Sequence, residues 1–401
     1  MSKIHKKYQK SSFVWNTIGS ILNAASSFFL LLCVTRTVGA EDSGIFSFAF
    51  ANAQLLLTIG KFGVRSYQAT DVSHSIATST YLVSRVLSCI AMLSVCLLWI
   101  IVSNYNSYDA GIIIAVCLMK ASDAVEDIFH GWMQLNGKLD LAGKLLSIRN
   151  IFTMVLFFFL IYKTGNLYFT CWFTGVVSFA LSIVINLYYL NKAQKTFAFF
   201  RKNELYKLFK DCFPLFIGSF LSLYIYNVPK YAIERYSTPD LQTYYSIIFM
   251  PAFVINLFSE FAFKPLLTSL ATYWENKNII KLKKMISKLM LIIILLTIVS
   301  LIIAKLFGVT ILSVIYKVDV LKYELELVIL MLGGGFGAVV YFLYNFLTVM
   351  RKQIDILKNY FFAALFSTLL AFGGVKCFSI LGASISYFIS EIILCIFMMI
   401  S

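Results

Sequence analysis

Runs of about 20 mostly apolar residues, each long enough to cross the hydrocarbon core of a bilayer, recur along nearly the whole chain. Of its 401 residues, 60% are hydrophobic and only 13% are charged; a soluble domain averages about 45–50% and about 25%. This excludes a soluble enzyme, a disordered chain and a nucleic-acid-binding module. The apolar side chains would stock about a dozen spans. The expected fold is therefore an all-α integral membrane protein. Spans are predicted near 13–36, 44–65, 80–103, 111–134, 147–163 and 166–190, then near 212–234, 243–270, 285–307, 323–349, 356–375 and 379–400.

The charge balance gives the orientation. The chain holds 34 Lys and Arg against 19 Asp and Glu, a net charge of +15. In a membrane protein such a surplus belongs to cytoplasmic loops. With the N-terminus inside, the inward loops collect about 23 cations and the outward ends about 7. The inward set includes Lys138, Lys144 and Arg149; the outward set includes Arg36 and Arg235. Both termini are expected in the cytoplasm, and the opening MSKIHKKYQK reads as a basic tail without a signal-peptide cleavage site. The expected partner surface is membrane lipid.

The connections are short, which leaves no room for a soluble catalytic or nucleotide-binding domain. A GxxxxGK[ST] phosphate loop is absent, and the cluster Gly333-Gly334-Gly335 with Gly337 lies inside an apolar span, where glycine permits close helix packing. The eight cysteines are scattered through apolar segments and imply neither disulfides nor a metal site; no cofactor is expected.

The longest inner connection, 191–211, is basic and amphipathic, as a surface-lying linker would be. It separates an N-terminal six-helix bundle (1–190) from a C-terminal one (212–401). A shift of 199 residues sets Ile18-Gly19-Ser20 on Ile217-Gly218-Ser219, Arg36 on Arg235, Phe62 on Phe261 and Arg65 on Lys264. The halves are thus expected to form a parallel repeat, with a substrate cavity between them.

Charges inside spans are costly, by about 2.5–3.5 kcal/mol at a helix centre, and each needs a reason. The fourth span carries Lys120, Asp123, Glu126, Asp127, His130 and Gln134, all within one arc of the helix. Such a stripe faces protein or water, never lipid. Lys120 could simply pair with Asp123 to seat the helix. Alternatively, Asp123, Glu126 and Asp127 bind Na+ or H+, with His130 titrating alongside. Glu260 and Lys264 repeat the theme in the eighth span, ahead of Pro265; Glu391 stands in the twelfth. Arg36, Arg65, Arg85, Lys120, Lys230, Arg235 and Lys264 form a mainly basic interior population, although basic residues near helix ends can snorkel to headgroups. Taken together they favour an anionic substrate such as a phosphate or diphosphate.

Three stretches carry a family resemblance. Asn16-x-x-Gly19 through Arg36-Thr37-Val38-Gly39-Ala40-Glu41-Asp42-Ser43-Gly44-Ile45-Phe46, and Lys61-Phe62-Gly63-Val64-Arg65-Ser66-Tyr67-Gln68, resemble the opening of the Wzx-type polysaccharide flippases. Asp123-Ala124-Val125-Glu126-Asp127 with Gln134-Leu135-Asn136-Gly137-Lys138 is similar to their fourth-span region. These proteins belong to the multidrug/oligosaccharidyl-lipid/polysaccharide exporter superfamily. The resemblance implies two six-helix bundles in a V with a central cavity, and no enzymatic activity. It further implies export of an undecaprenyl diphosphate-linked oligosaccharide across the bacterial inner membrane, by a monomer driven by membrane potential or by Na+ or H+ antiport. A polysaccharide polymerase and chain-length machinery would be partners. A cation-coupled multidrug exporter and a membrane polysaccharide polymerase are the alternatives. The excess of interior bases opposes the first, and the lack of a large extracytoplasmic loop opposes the second.

Overall fold

The computed structural model describes residues 3–71, 76–193, 200–263, 273–274, 276–350 and 352–401. Regular structure among them is entirely helical: α1 (Lys3–Thr37), α2 (Ala40–Lys61), α3 (Val64–Thr70), α4 (Thr78–Ser103), α5 (Ser107–Leu135), α6 (Leu139–Thr164), α7 (Leu167–Ala193), α8 (Lys202–Tyr236), α9 (Pro239–Phe263), α10 (Ile279–Ile303), α11 (Val309–Tyr316), α12 (Glu324–Val349) and α13 (Gln353–Ile400). A wide helical turn, Ala304–Gly308, joins α10 to α11. Among the described residues, nine helical stretches are long and apolar enough to cross a membrane. The chain is a multi-pass membrane protein.

Of the three departures from the expected twelve, the span predicted near 243–270 runs outside the described residues, and the other two have physical causes. The α5 helix spans the needed length but carries Lys120, Asp123, Glu126 and Asp127, too many charges for a lipid-facing segment. The α13 helix is two legs. Ser379, in left-handed backbone (φ 51°), breaks it, and the legs fold back antiparallel: Asn359 donates to the Phe397 carbonyl (3.2 Å) and to Ser401 Oγ (2.7 Å). At the turn, Gly382 presses against the Gly374 backbone, where no Cβ would fit. Two spans, near 356–375 and 379–400, are therefore present, joined by a reversal of almost no length.

The α4 helix shows how lipid inverts the usual pattern. Its outward face is Val86, Leu87, Ile90, Leu97, Leu98, Ile101 and Val102, all exposed, while Thr80, Ser84, Arg85 and Ser88 are buried. With hydrocarbon as solvent, leucine gains nothing by turning inward; polar groups gain partners there.

The chain divides into two compact units, Met1–Phe220 and Leu221–Ser401, with the boundary inside α8. Residues 202–211, read from sequence as part of a surface linker, are the first turns of that helix. Leu208 and Cys212 are fully buried in the core of the first unit with Val64, Tyr81, Ile128, Phe129 and Trp132. Glu204 accepts hydrogen bonds from the Ala77 backbone N–H (3.1 Å) and Thr80 Oγ1 (3.0 Å), capping the start of α4. The second unit has its own core of Ile225, Val340, Leu347, Tyr360, Leu394 and Met398. The 199-residue repeat recurs in the helices: α1 and α8 are each 35 residues long, and the shift carries both ends of α1 onto those of α8. Arg36 and Arg235 accordingly stand in equivalent last turns.

Small residues set the helix spacing in the first unit. A Cβ on Gly143 of α6 would lie 2.4 Å from the Trp15 carbonyl carbon and 2.6 Å from the Asn16 nitrogen of α1. Backbone cannot yield as a side chain can. Gly143→Ala is therefore expected to push α1 off α6 and cost about 1–3 kcal/mol, read as a lowered thermal midpoint of the purified protein in detergent. An unchanged midpoint would contradict the packing.

Candidate functional site

The α5 helix starts cleanly, with Asn106 Oδ1 accepting from the Asp109 N–H at 2.8 Å. Its steps of three and four then put Lys120, Asp123, Glu126, Asp127 and His130 on a face covered by protein. Lys120, Glu126, Asp127 and His130 are buried and Asp123 is half-buried.

Two ion clusters occupy this face. In the first, Lys120 Nζ meets Asp123 Oδ2 at 3.1 Å and lies 4.3 Å from the centre of the Phe50 ring. Arg149, from α6, contacts the other oxygen of Asp123, meets Glu126 Oε2 at 2.7 Å through Nε, and donates to Ser122 Oγ at 2.9 Å. One buried guanidinium thus serves three partners. In the second cluster, Asp127 Oδ2 takes Arg85 Nη2 at 3.0 Å, and Asp127 Oδ1 lies 3.7 Å from Arg65 Nη1. Arg65 also reaches Gln134 Oε1, at 3.4 Å.

The second cluster exists because α2 stops where it does. Phe62 (φ 49°) and Gly63 (φ 68°) are both left-handed, ending α2 and starting α3 in a new direction. The break frees carbonyls at the end of α2. The Gly60 oxygen is taken by the Arg85 guanidinium and by Ser88 Oγ (2.7 Å). Arg85 therefore ties the end of α2 to Asp127. Gly131 completes the fit: its missing Cβ is where Gln68 and the stem of Arg65 from α3 cross α5. The Phe62 ring stacks on Phe216 (4.6 Å between centroids) and stands edge-on to Phe209, pinning the break against α8.

Of the residues expected from sequence, the fold gathers Arg65, Arg85, Lys120, Asp123, Glu126, Asp127 and His130 into one region of the first unit. Arg36 and Arg235 stand apart, exposed in helix-terminal turns. Lys230 is half-buried in the second unit, its ammonium 5.6 Å from the Phe249 ring centre. The side chain of Glu260, and Lys264 as a whole, lie outside the described residues. His130 is buried, and its Nε2 has no hydrogen-bond partner among the described residues.

Arg149 requires a correction. The sequence reading put it among the loop cations, on a span beginning near 147. Instead α6 begins at Leu139, and Arg149 sits almost three turns inside it, fully enclosed. Asn150 and Thr153 beside it are also buried; three polar residues on one face of an apolar helix were the available signal. Lys61, at the end of α2, was missed as well and lies close enough to act on Asp123 and Lys120. The network holds four cations, Arg65, Arg85, Lys120 and Arg149, against three carboxylates, with Lys61 adding to the surplus. Arg65 is the least committed base: its side chain is 31% exposed and its contacts are long, whereas Arg85 and Arg149 are each 3% exposed and tightly held.

Comparison with known proteins fits this picture. Residues 10–271 match a family model described as polysaccharide biosynthesis protein. The chain is 23% identical over 324 residues to the capsular polysaccharide biosynthesis protein CapF of Staphylococcus aureus, covering 80% of this chain and 81% of that one. In fold it is similar to the lipid II flippase MurJ in an inward closed conformation (TM-score 0.74, 14% identity, 98% of this chain and 86% of MurJ). It is also similar to an inward-facing multidrug resistance MATE family transporter of the MOP superfamily (TM-score 0.73, 13% identity, 93% and 92%).

Proposed function

This chain belongs to the polysaccharide biosynthesis protein family and has a fold found in membrane transporters, and from that premise we propose that it is a flippase for lipid-linked oligosaccharides. Its cargo is an undecaprenyl diphosphate-linked repeat unit, moved from the inner to the outer leaflet of a bacterial cytoplasmic membrane. Both termini face the cytoplasm, as the distribution of Lys and Arg supports. The carrying observation is the positive surplus of the α5 network, which ends in a half-exposed guanidinium, Arg65. A diphosphate is the natural partner for a guanidinium fork; an organic cation would need the opposite sign.

In this reading Arg65 receives the diphosphate and Lys61 adds charge nearby. Asp123, Glu126 and Asp127 act as counterions that hold the bases in place. The polar head cannot enter hydrocarbon, whereas the prenyl tail stays there. The two halves alternate access to the two leaflets, joined through α8. Outward movement of an anion down an inside-negative potential gains about 2.3 kcal/mol per charge per 100 mV, so ATP is not required. A polymerase acting in the outer leaflet would consume the product.

The test is reconstitution with a lipid-linked oligosaccharide. Wild-type proteoliposomes are expected to move the head to the opposite leaflet, faster when the membrane potential draws anions that way. Efflux of cationic drugs from a hypersusceptible strain without any head-group movement would instead identify a multidrug exporter.

A further inference from the structure

The α5 carboxylates are all held by bases, but one buried acid elsewhere is not. Glu391 lies in the second leg of α13 at 7% exposure. Among the described residues it has no ion-pair or hydrogen-bond partner. The groups within reach of its charge are Tyr226 from α8, Tyr360 from the first leg of α13, and Cys395 one turn along its own leg. The α9 helix brings Tyr245 towards Tyr226; its Asp240 is in the first turn. The acids of α12, Glu324 and Glu326, are likewise in its first turn, and Tyr344 of α12 packs on Tyr360. Lys230 follows Tyr226 by one turn on α8 but sits near the Phe249 ring instead. Glu391 is therefore surrounded by phenols and a thiol, with no described cation beside it.

An intramembrane acid in such a setting is costly as an anion and marks an ion pathway more often than a structural contact. The contrast with Asp123, Glu126 and Asp127 is chemical. Each of those would have to abandon an internal guanidinium or ammonium before exchanging anything with the solvent. We propose that Glu391 is a proton-exchange site: its carboxylate takes up one proton to become the neutral acid and later releases it. Its coupling role rests on the flippase reading; proton binding itself does not.

The two can be tested separately. Dicyclohexylcarbodiimide, an apolar reagent that attacks protonated carboxyl groups, is added to the full-length protein in liposomes, and labelled residues are found by mass spectrometry. Glu391 is expected to be labelled, falling about tenfold per pH unit beyond the titration midpoint, while Asp123, Glu126 and Asp127 stay unlabelled. No label at Glu391, labelling that ignores pH, or loss of label on adding Na+ at constant pH would overturn the proposal. In the translocation assay, Glu391→Gln is expected to lose the dependence of rate on pH and Glu391→Asp to keep it; a full pH response in Glu391→Gln would overturn the coupling role. Wild-type protein with pH-dependent labelling but no head-group movement would uphold the proton site and defeat the flippase reading.

Discussion

Replacing Arg149 with methionine is expected to destabilise the protein by about 3–5 kcal/mol, the cost of removing one member of a buried ion cluster. Methionine nearly matches the aliphatic stem, so packing is largely kept and the loss is electrostatic. Asp123 retains Lys120 at 3.1 Å, but Glu126, 3% exposed, keeps no ion-pair partner among the described residues. Adding Glu126→Gln to Arg149→Met should consequently recover the larger share of the loss, and adding Asp123→Asn should recover less. Thermal midpoints and the fraction of monodisperse protein in detergent provide the measurement. If the single variant melts like the wild type, Arg149 is not the hub of the first cluster.

Arg65→Ala should do the reverse. Its contact with Asp127 is long and partly exposed, and such pairs contribute about 0–1 kcal/mol, so the protein should stay folded. Translocation of the lipid-linked oligosaccharide should fall about 30-fold, corresponding to about 2 kcal/mol for a lost charge-assisted contact to a phosphate. Arg65→Lys should recover part of the rate, since an ammonium keeps the charge and loses the fork. Translocation at the wild-type rate by Arg65→Ala would remove Arg65 from the binding site. The pair of variants would separate two roles within one network: Arg149 expected to hold the fold, and Arg65 proposed to receive the cargo.

The spans and the charged face of α5 were legible in the sequence for the same reason. In hydrocarbon, an unmasked charge or a broken helix is costly enough that composition alone records where each can stand. Lys120, Asp123, Glu126, Asp127 and His130 could be placed on one face by counting. Their partners could not. Arg149 looked like a loop cation because Asp140 and Lys144 make the first turns of α6 polar, and only the fold shows that these residues pair with each other at 3.3 Å while the helix is already under way. The end of α2 was obscured in the same manner: Gly63 suggests a bend, but its capture by Arg85 depends on a residue 25 positions away. Local pattern reports periodicity and polarity; it does not report which carbonyl a distant guanidinium will find.

The capping of α4 by Glu204 has a consequence for how the protein is made. Ala77 and its cap are 127 residues apart, and Tyr67 and Asp211, which meet at 3.3 Å, are 144 apart. A ribosome that has completed α7 has therefore delivered seven helices of an unfinished unit, with the first turn of α4 uncapped and the Phe62 break bare. Closure waits for the next twenty or so residues to emerge. A truncated chain ending at residue 193 should remain open to proteolysis near 62–71, and one ending at residue 220 should not.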